Sequence, residues 1–358
     1  MSTHQPHPSS QSPSTSKSSG ASKPQFIRDI QEGDSVKTSF LVKHSAILVG
    51  KTGKPYLNLV FIDRTGEVEA RAWDQVPEVA NQAVKDAYVR VEGKCKLYQG
   101  RKQITVKKVQ LLRDEEVNEA DFKVDVGVDS ESLYRKLVEY IESMEDVHYQ
   151  ALAKEILIND EDVVTRLKKA PAAKSLHHAY PGGLIEHIVS ITGLLDGLSS
   201  HYGKQVNRDL LFLGGFFHDI AKLWELTYQK TTDYTDEGRL IGHLVMGVEL
   251  MTEKIKHLNE THFKDDPFPK DKALFVKHVV LAHHGRLEYG SPKTPQLIEA
   301  LIVHAIDDLD SKINAMRVFI EQDLNPGHWT NLNRQFERFF YKTPWVLENA
   351  ISKSDYSS

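Results

Sequence analysis

Between residues 26 and 113 apolar and polar positions alternate with a period of two. The run PYLNLVFID alternates, breaks at a DRTG turn, and alternates again through EVEARAW, which predicts a β-hairpin. FLVKHSAILV, AYVRVEGKCKLY and RKQITVKKVQLL add further short strands, with a second turn at YQGRKQ and a helical stretch, PEVANQAVKD, between the third and fourth. Five short strands in so few residues predict a small barrel or sandwich. From about residue 130 the period lengthens to roughly three and a half. LYRKLVEYIESM, LIEHIVSITGLLDGL, RDLLFLGGFFHDIAKLWEL, LIGHLVMGVELMTEKIKHL, ALFVKHVVLAHH and PQLIEALIVHAIDDLDSKINAMRVFI all read as helices, so 130–325 is predicted to be one all-α domain. The acidic stretch 114–129 is poor in large apolar residues and reads as a linker. Residues 1–25 are mostly Ser, Pro, Thr and Gln, too polar to offset the entropy of ordering, and read as a disordered tail. The segment 326–358 carries Trp329, Phe336, Phe339, Phe340, Tyr341 and Trp345 ahead of a polar end, aromatics that either anchor the terminus or form a subunit contact.

Composition narrows the class. The 358 residues are 40% hydrophobic and 27% charged, ordinary for a globular protein, and no apolar run reaches the ~20 residues that span a bilayer. A single cysteine, Cys95, excludes a disulfide scaffold and a Cys-rich zinc module. The first residues lack the basic-then-apolar pattern of a secretory signal, and the expected compartment is the reducing cytoplasm. The net charge of −5 excludes a globally basic protein, but the charge is unevenly spread: 26–113 holds 16 Lys and Arg against 10 Asp and Glu, and the helical region is strongly acidic. A locally basic β domain with exposed rings is what single-strand binding needs, since charge follows the backbone and rings stack on bases. Tyr56, Phe61, Trp73, Tyr88 and Tyr98 are the aromatic candidates. Phe61 is expected in the core, leaving Tyr56, Trp73 and Tyr98, with Arg101 and Lys102, as the nucleic-acid-binding set.

Histidine sets the chemistry. Twelve of 17 histidines fall between 177 and 304, several within apolar helices and next to acids. An unpartnered carboxylate inside an apolar helix costs several kcal/mol, so Asp219 and Asp307 call for cations or strong donors. Imidazoles and carboxylates converging from several helices suit a divalent metal of borderline hardness.

Two resemblances follow from these residues. YLNLVFIDRTGEVEARAWD resembles the central hairpin of OB-fold domains that bind single-stranded nucleic acid. His187, His218–Asp219, His243, His283–His284 and Asp307 occur in the order H…HD…H…HH…D, which resembles the HD-domain metal-dependent phosphohydrolases. The surplus of histidines over the minimal set resembles members holding two metals. That likeness implies that Asp219 bridges the metals, that His187, His218 and Asp307 hold one, and that His243 with His283 or His284 holds the other. It also places Lys222, in HDIAK, toward the phosphate. An OB fold followed by an HD domain, with HHAYPGGLIEH, FFHDIAKLWEL, AHHGRLEYGSP and EALIVHAIDDLDSK, resembles the YhaM family of 3′→5′ exoribonucleases over about 26–315. The resemblance implies two divalent ions, Mn²⁺ ahead of Mg²⁺, Co²⁺ or Fe²⁺, acting on single-stranded RNA or DNA to give 5′-mononucleotides by metal-hydroxide attack. His177, His178, Arg286 and Ser291 are candidate substrate contacts; for His177 or His178 this means protonating the leaving oxygen or bracing the PGG turn. A homo-oligomer and no membrane partner are expected. The rival readings are an HD-type nucleotide or cyclic-nucleotide phosphohydrolase and a single-strand-binding protein with an inactive HD domain.

Overall fold

The computed structural model describes residues 23–123, 127–174, 178–323 and 325–347, and the chain divides into two compact units at Val124/Asp125. The N-terminal unit is a closed five-stranded barrel. Strands β1 (Ser35–Val49), β2 (Pro55–Asp63), β3 (Gly66–Ala72), β4 (Tyr88–Tyr98) and β5 (Arg101–Leu112) close in the order β1-β2-β3-β5-β4. Helix α1 (Val76–Gln82) lies between the third and fourth strands. A bulge between Val42 and His44 bends the long β1 so that it pairs with β2 along one half and β4 along the other. β3 and β5 pair in parallel, Glu69 with Gln103 through Ala72 with Val106, and this completes the barrel. The inward half of each alternating strand forms the core: Leu57, Leu59, Phe61, Ala70, Val91, Cys95 and Ile104 are buried, and Phe61 stacks on Phe40 at 5.1 Å. Burial pushes the Cys95 thiol up, the opposite of an activated nucleophile.

Two boundaries differ from the reading of the sequence. Lys23 and Gln25 pack against the barrel instead of belonging to a tail. The Lys23 ammonium is buried 2.7 Å from Asp63 and 4.0 Å above the Phe40 ring, and the Gln25 carbonyl accepts from Thr38. Burial drives the Lys23 pKa down to about 8 despite the pull of Asp63 and Asp121. The stretch 114–123 is likewise part of the barrel unit. Its acids sit on two 3₁₀ turns, Asp114–Glu116 and Glu119–Asp121, which seat Val117 and Phe122 against Leu41, Tyr88 and Leu112. Two anchoring apolar residues were enough in a stretch that composition shows to be poor in them. Tyr88 is therefore a core residue under Phe122 and drops out of the candidate platform. Residues 1–22 and 124–126 lie outside the described residues.

The second unit is helical: α2 (Ser130–Glu142), α3 (Val147–Leu157), α4 (Glu161–Leu167), α5 (Gly183–Tyr202), α6 (Arg208–Phe217), α7 (Lys222–Glu225), α8 (Asp236–Leu240), α9 (His243–Thr261), α10 (Lys270–Ala282) and α11 (Ile298–Gln322). A small ribbon, β6 (Leu226–Thr227) with β7 (Asp233–Tyr234), follows α7. Helix α6 reads DLLFLGGFF, with no polar face, because it is the centre of the unit and packs against α3, α5, α10 and α11. Gly214 permits this closeness: a Cβ there would meet Val303 at 2.6 Å and Val279 at 2.8 Å. After α11 the chain folds back on itself, with Phe340 packed on Phe319 and Lys342 paired with Asp323 at 2.8 Å. No helix among the described residues is long and apolar enough to cross a membrane.

Candidate metal centre and nucleic-acid interface

The ends of α6, α9 and α10, the second turn of α5 and the middle of α11 meet at one buried point. α5 starts at a glycine pair: Gly182 adopts φ +77°, and a Cβ on Gly183 would lie 2.0 Å from the His178 carbonyl. This close turn sets the position of His187 one turn into the helix. The run LLFLGGFF carries His218 and Asp219 to the point where α6 ends, in the interior.

Five imidazoles are oriented in the same sense. Nδ1 of His187 lies 2.9 Å from Asp310 Oδ2, that of His218 3.0 Å from the Gly215 carbonyl, and that of His243 2.8 Å from Glu225 Oε1. Nδ1 of His283 is 2.8 Å from the Val280 carbonyl, and that of His284 3.0 Å from the Tyr289 carbonyl. Carbonyls and carboxylates only accept, so each Nδ1 carries the proton and each neutral ring keeps its lone pair on Nε2. These rings form two groups. His187, His218 and Asp307 offer ligand atoms within 4.8 Å of one another, as do His243, His283 and His284.

Asp219 stands between the groups. Its Oδ2 is 3.4 Å from His218 Nε2 and 3.7 Å from His187 Nε2, and its Oδ1 is 3.4 Å from His243 Nε2 and 3.7 Å from His283 Nε2. Both His283 and His284 lie in the second group.

The donor set fits divalent metal. Asp219 Oδ1 and His243 Nε2 are buried without a hydrogen-bond partner among the described residues, and Nε2 of His187 faces Nε2 of His218 at 3.2 Å. Converging lone pairs of this kind need a cation or a proton between them. Imidazole and carboxylate donors without thiolate suit first-row divalent ions.

Charges in the centre are strongly coupled. Burial opposes ionisation of Asp219, but Lys222 and His218 overcome it and hold the carboxyl well below its usual range. Asp307 and Asp310 are also held low, each against the cost of burial, the first by His187 and His218, the second by His178, His187 and Ser190. Burial would lower His187, yet its bonds to Asp307 and Asp310 raise it to about 9. Burial lowers His283 and His284.

The remaining expected site residues fall in different places. Lys222, expected to face the phosphate, donates to Asp219 Oδ2 at 2.7 Å, so its ammonium is engaged with the carboxylate. Arg286 is exposed in the loop after His284. Ser291 is engaged within its own turn: its backbone amide donates to the Arg286 carbonyl at 3.3 Å, and its buried hydroxyl lies 2.7 Å from the Lys293 carbonyl and 2.8 Å from that of Leu281. His178, expected either to protonate the leaving oxygen or to brace the PGG turn, is buried, held by Glu186 and Tyr180, with Nε2 3.4 Å from Asp310, behind His187. His177 lies outside the described residues. Asp310 and Glu225 were not identified from sequence; Asp310 was visible in DDLD, three residues after Asp307 on the same helix face.

On the barrel, Tyr56 of β2 stacks on Trp73 at 4.8 Å. The Arg71 guanidinium lies 5.4 Å from the Tyr56 ring and 5.1 Å from the Tyr98 ring. Trp73 and Tyr98 are each 48% exposed, so three of the expected rings form one outward surface around an arginine that sequence reasoning passed over. The Arg71 Nε is buried and without a partner among the described residues. Arg101 pairs with Tyr98 at the end of the β4–β5 hairpin, and Lys102 lies next along the strand.

Comparison with known proteins agrees with both halves. The HD-domain profile matches residues 184–312, and a profile described as an OB-fold nucleic acid binding domain matches 41–112. Among solved structures, the second OB-fold domain of replication protein A from Methanococcus maripaludis is 19% identical, covering 25% of this chain and 95% of that one at a TM-score of 0.21. The mitochondrial single-stranded DNA binding protein Rim1 from S. cerevisiae is 18% identical, covering 22% and 97% at a TM-score of 0.18. The chain is thus an OB-fold barrel followed by a helical domain that matches the HD-domain profile over 184–312.

Proposed function

We propose that this protein is a metal-dependent exonuclease that shortens single-stranded RNA, and DNA as a second substrate, from the 3′ end and releases 5′-mononucleotides. The observation that carries the hydrolytic part is Asp219, whose two oxygens face two separate histidine groups. His187, His218 and Asp307 would hold one divalent ion and His243, His283 and His284 the other, with Mn²⁺ favoured. When bound, two such ions supply Lewis-acid stabilisation of the phosphoryl oxygens and acidify water. The chain's own residues set the frame for this. Asp310, Glu225 and three backbone carbonyls fix the ring orientations, Lys222 offsets the negative charge of Asp219, and Arg286 offers an exposed guanidinium near His284 for a substrate phosphate. Tyr56, Trp73, Arg71 and Tyr98 supply stacking and charge for a strand without base preference. Such a platform has no use for a mononucleotide, which favours a polymer substrate.

The test is a 5′-labelled single-stranded oligonucleotide incubated with protein and Mn²⁺, Mg²⁺ or EDTA and resolved over time. A descending ladder with 5′-mononucleotide product is expected, and chelation should stop it. Early mid-chain fragments would show an endonuclease. Rates that do not change from dinucleotide to 30-mer would favour a nucleotide-level phosphohydrolase.

A further inference from the structure

The segment 325–347 lies outside both matched regions and contributes nothing to the metal centre. Residues 328–342 fold back so that Trp329 stands opposite Tyr341 and Asn333 opposite Arg338. Alternation then sorts the side chains. Phe340, Thr330 and Lys342 are buried, with Phe340 on Phe319 of α11 and Lys342 clamped to Asp323. Trp329, Phe339 and Tyr341 point the other way and are 56%, 57% and 47% exposed. The Trp329 ring meets the Tyr341 ring edge-on at 5.3 Å, and exposed His328 lies parallel to Tyr341 at 5.8 Å. Arg334 and Arg338 are exposed at the turn end, and Glu337 is the segment's only acid.

So many solvated rings on a tethered scaffold mark a contact surface. Charge decides the partner. The rest of the helical unit is strongly acidic, yet this surface pairs rings with guanidinia and one carboxylate. An isologous contact with a second copy would bring arginines toward arginines with few acids to pair them. Rings with adjacent guanidinia suit unpaired bases on a phosphate backbone. We infer that the 328–342 fold-back is a second single-strand contact, on the catalytic unit itself, that stacks bases on Trp329 and Tyr341 and engages phosphates through Arg334 and Arg338. The inference rests on the single-stranded-polymer reading above.

The test uses the full chain with Mn²⁺ and a hydrolysis-resistant phosphorothioate 30-mer of deoxythymidine, followed by fluorescence anisotropy across a salt series. Trp329→Ala/Tyr341→Ala should weaken binding about fivefold or more, as expected for lost base stacking. Arg334→Gln/Arg338→Gln should flatten the slope of log affinity against log salt by about 1.4, the release of two phosphate contacts. Trp329→Phe/Tyr341→Phe keeps the packing and should retain most of the affinity, and a strand of abasic sites should not distinguish the alanine variant from wild type. Sedimentation of every variant accompanies the binding. If Tyr56→Ala/Trp73→Ala weakens binding while the fold-back variants bind as wild type, this inference fails and the polymer reading stands. If the fold-back variants sediment as a smaller species with unchanged binding, the surface is a contact between copies of the chain. If wild type itself does not bind, both readings fall.

Discussion

Asp310 Oδ2 lies 2.9 Å from Nδ1 of His187, and the same carboxylate is approached by His178 at 3.4 Å and bonded by Ser190 at 2.6 Å. One acid on α11 therefore fixes the tautomer and tilt of a candidate metal ligand on α5, and is itself held from two sides. This gives the buried, strained residue His178, at φ +48°, a place in the support of His187.

Removing that acid should act on metal more than on fold. Asp310→Ala is expected to lower Mn²⁺ affinity by about 10- to 100-fold, the usual cost of losing the partner of a ligating histidine. Isothermal titration of the metal-free full chain measures it. His178→Gln should have a smaller effect in the same direction, and unchanged affinity in both variants would show that the contact is not part of the centre.

The raised pKa of His187 sets a pH window. In the metal-free protein the ring ionises near 9, against an ordinary value of 6.5 in the unfolded chain. The folded state thus binds the extra proton between those values. Its contribution, on the order of 3 kcal/mol, is complete below about 6.5 and lost as pH rises through 9. Chelated protein should therefore become easier to unfold from pH 6.5 to 9, and His187→Asn should flatten that trend. Metal requires the neutral ring, so Mn²⁺ affinity should rise across the same range.

On the barrel, Trp73→Ala should weaken binding of an oligodeoxythymidine about five- to 100-fold through lost stacking, and should leave the unfolding temperature of the barrel nearly unchanged because the ring is half exposed. Phe61→Ala should do the reverse, lowering stability by about 3–5 kcal/mol from a fully buried position. Anisotropy and thermal melts on the same samples separate the two.

Much of this arrangement was legible in the sequence because periodicity and burial speak the same language. YLNLVFID and EVEARA alternate, and their apolar members line the barrel; LLFLGGFF has no polar face, and α6 is surrounded. Asp219 and Asp307 stood out because acids inside apolar helices are costly, while the grouping of the histidines around them came only from the resemblance. What was not legible rests on contacts distant in sequence. Lys23 looked like a tail residue until Asp63 and Asp121 were near it. Glu225 and Asp310 gain their roles only where the helices bring His243 and His187 to them. The Ser291 amide looked available until the Arg286 carbonyl was found to accept from it.

Asp219 is the most exposing position to change, because it serves three partners at once. Replacing it with Asn keeps volume but removes the charge between two imidazole groups and the partner of Lys222 at 2.7 Å. Loss of a merely supporting residue costs 10- to 100-fold, so loss of the shared carboxylate should cost hydrolysis at least ~100-fold. Metal bound at saturation, measured by elemental analysis, should drop to one ion per chain or fewer. Stability should fall too, because the Lys222 side chain is only 14% exposed and would be left without its counter-charge. A second change distinguishes the two losses. Lys222→Met in the Asp219→Asn background removes the stranded ammonium and should recover most of the melting temperature without recovering hydrolysis. A double variant that regains activity, or an Asp219→Asn protein that keeps two ions, would show that this carboxylate does not join the two groups.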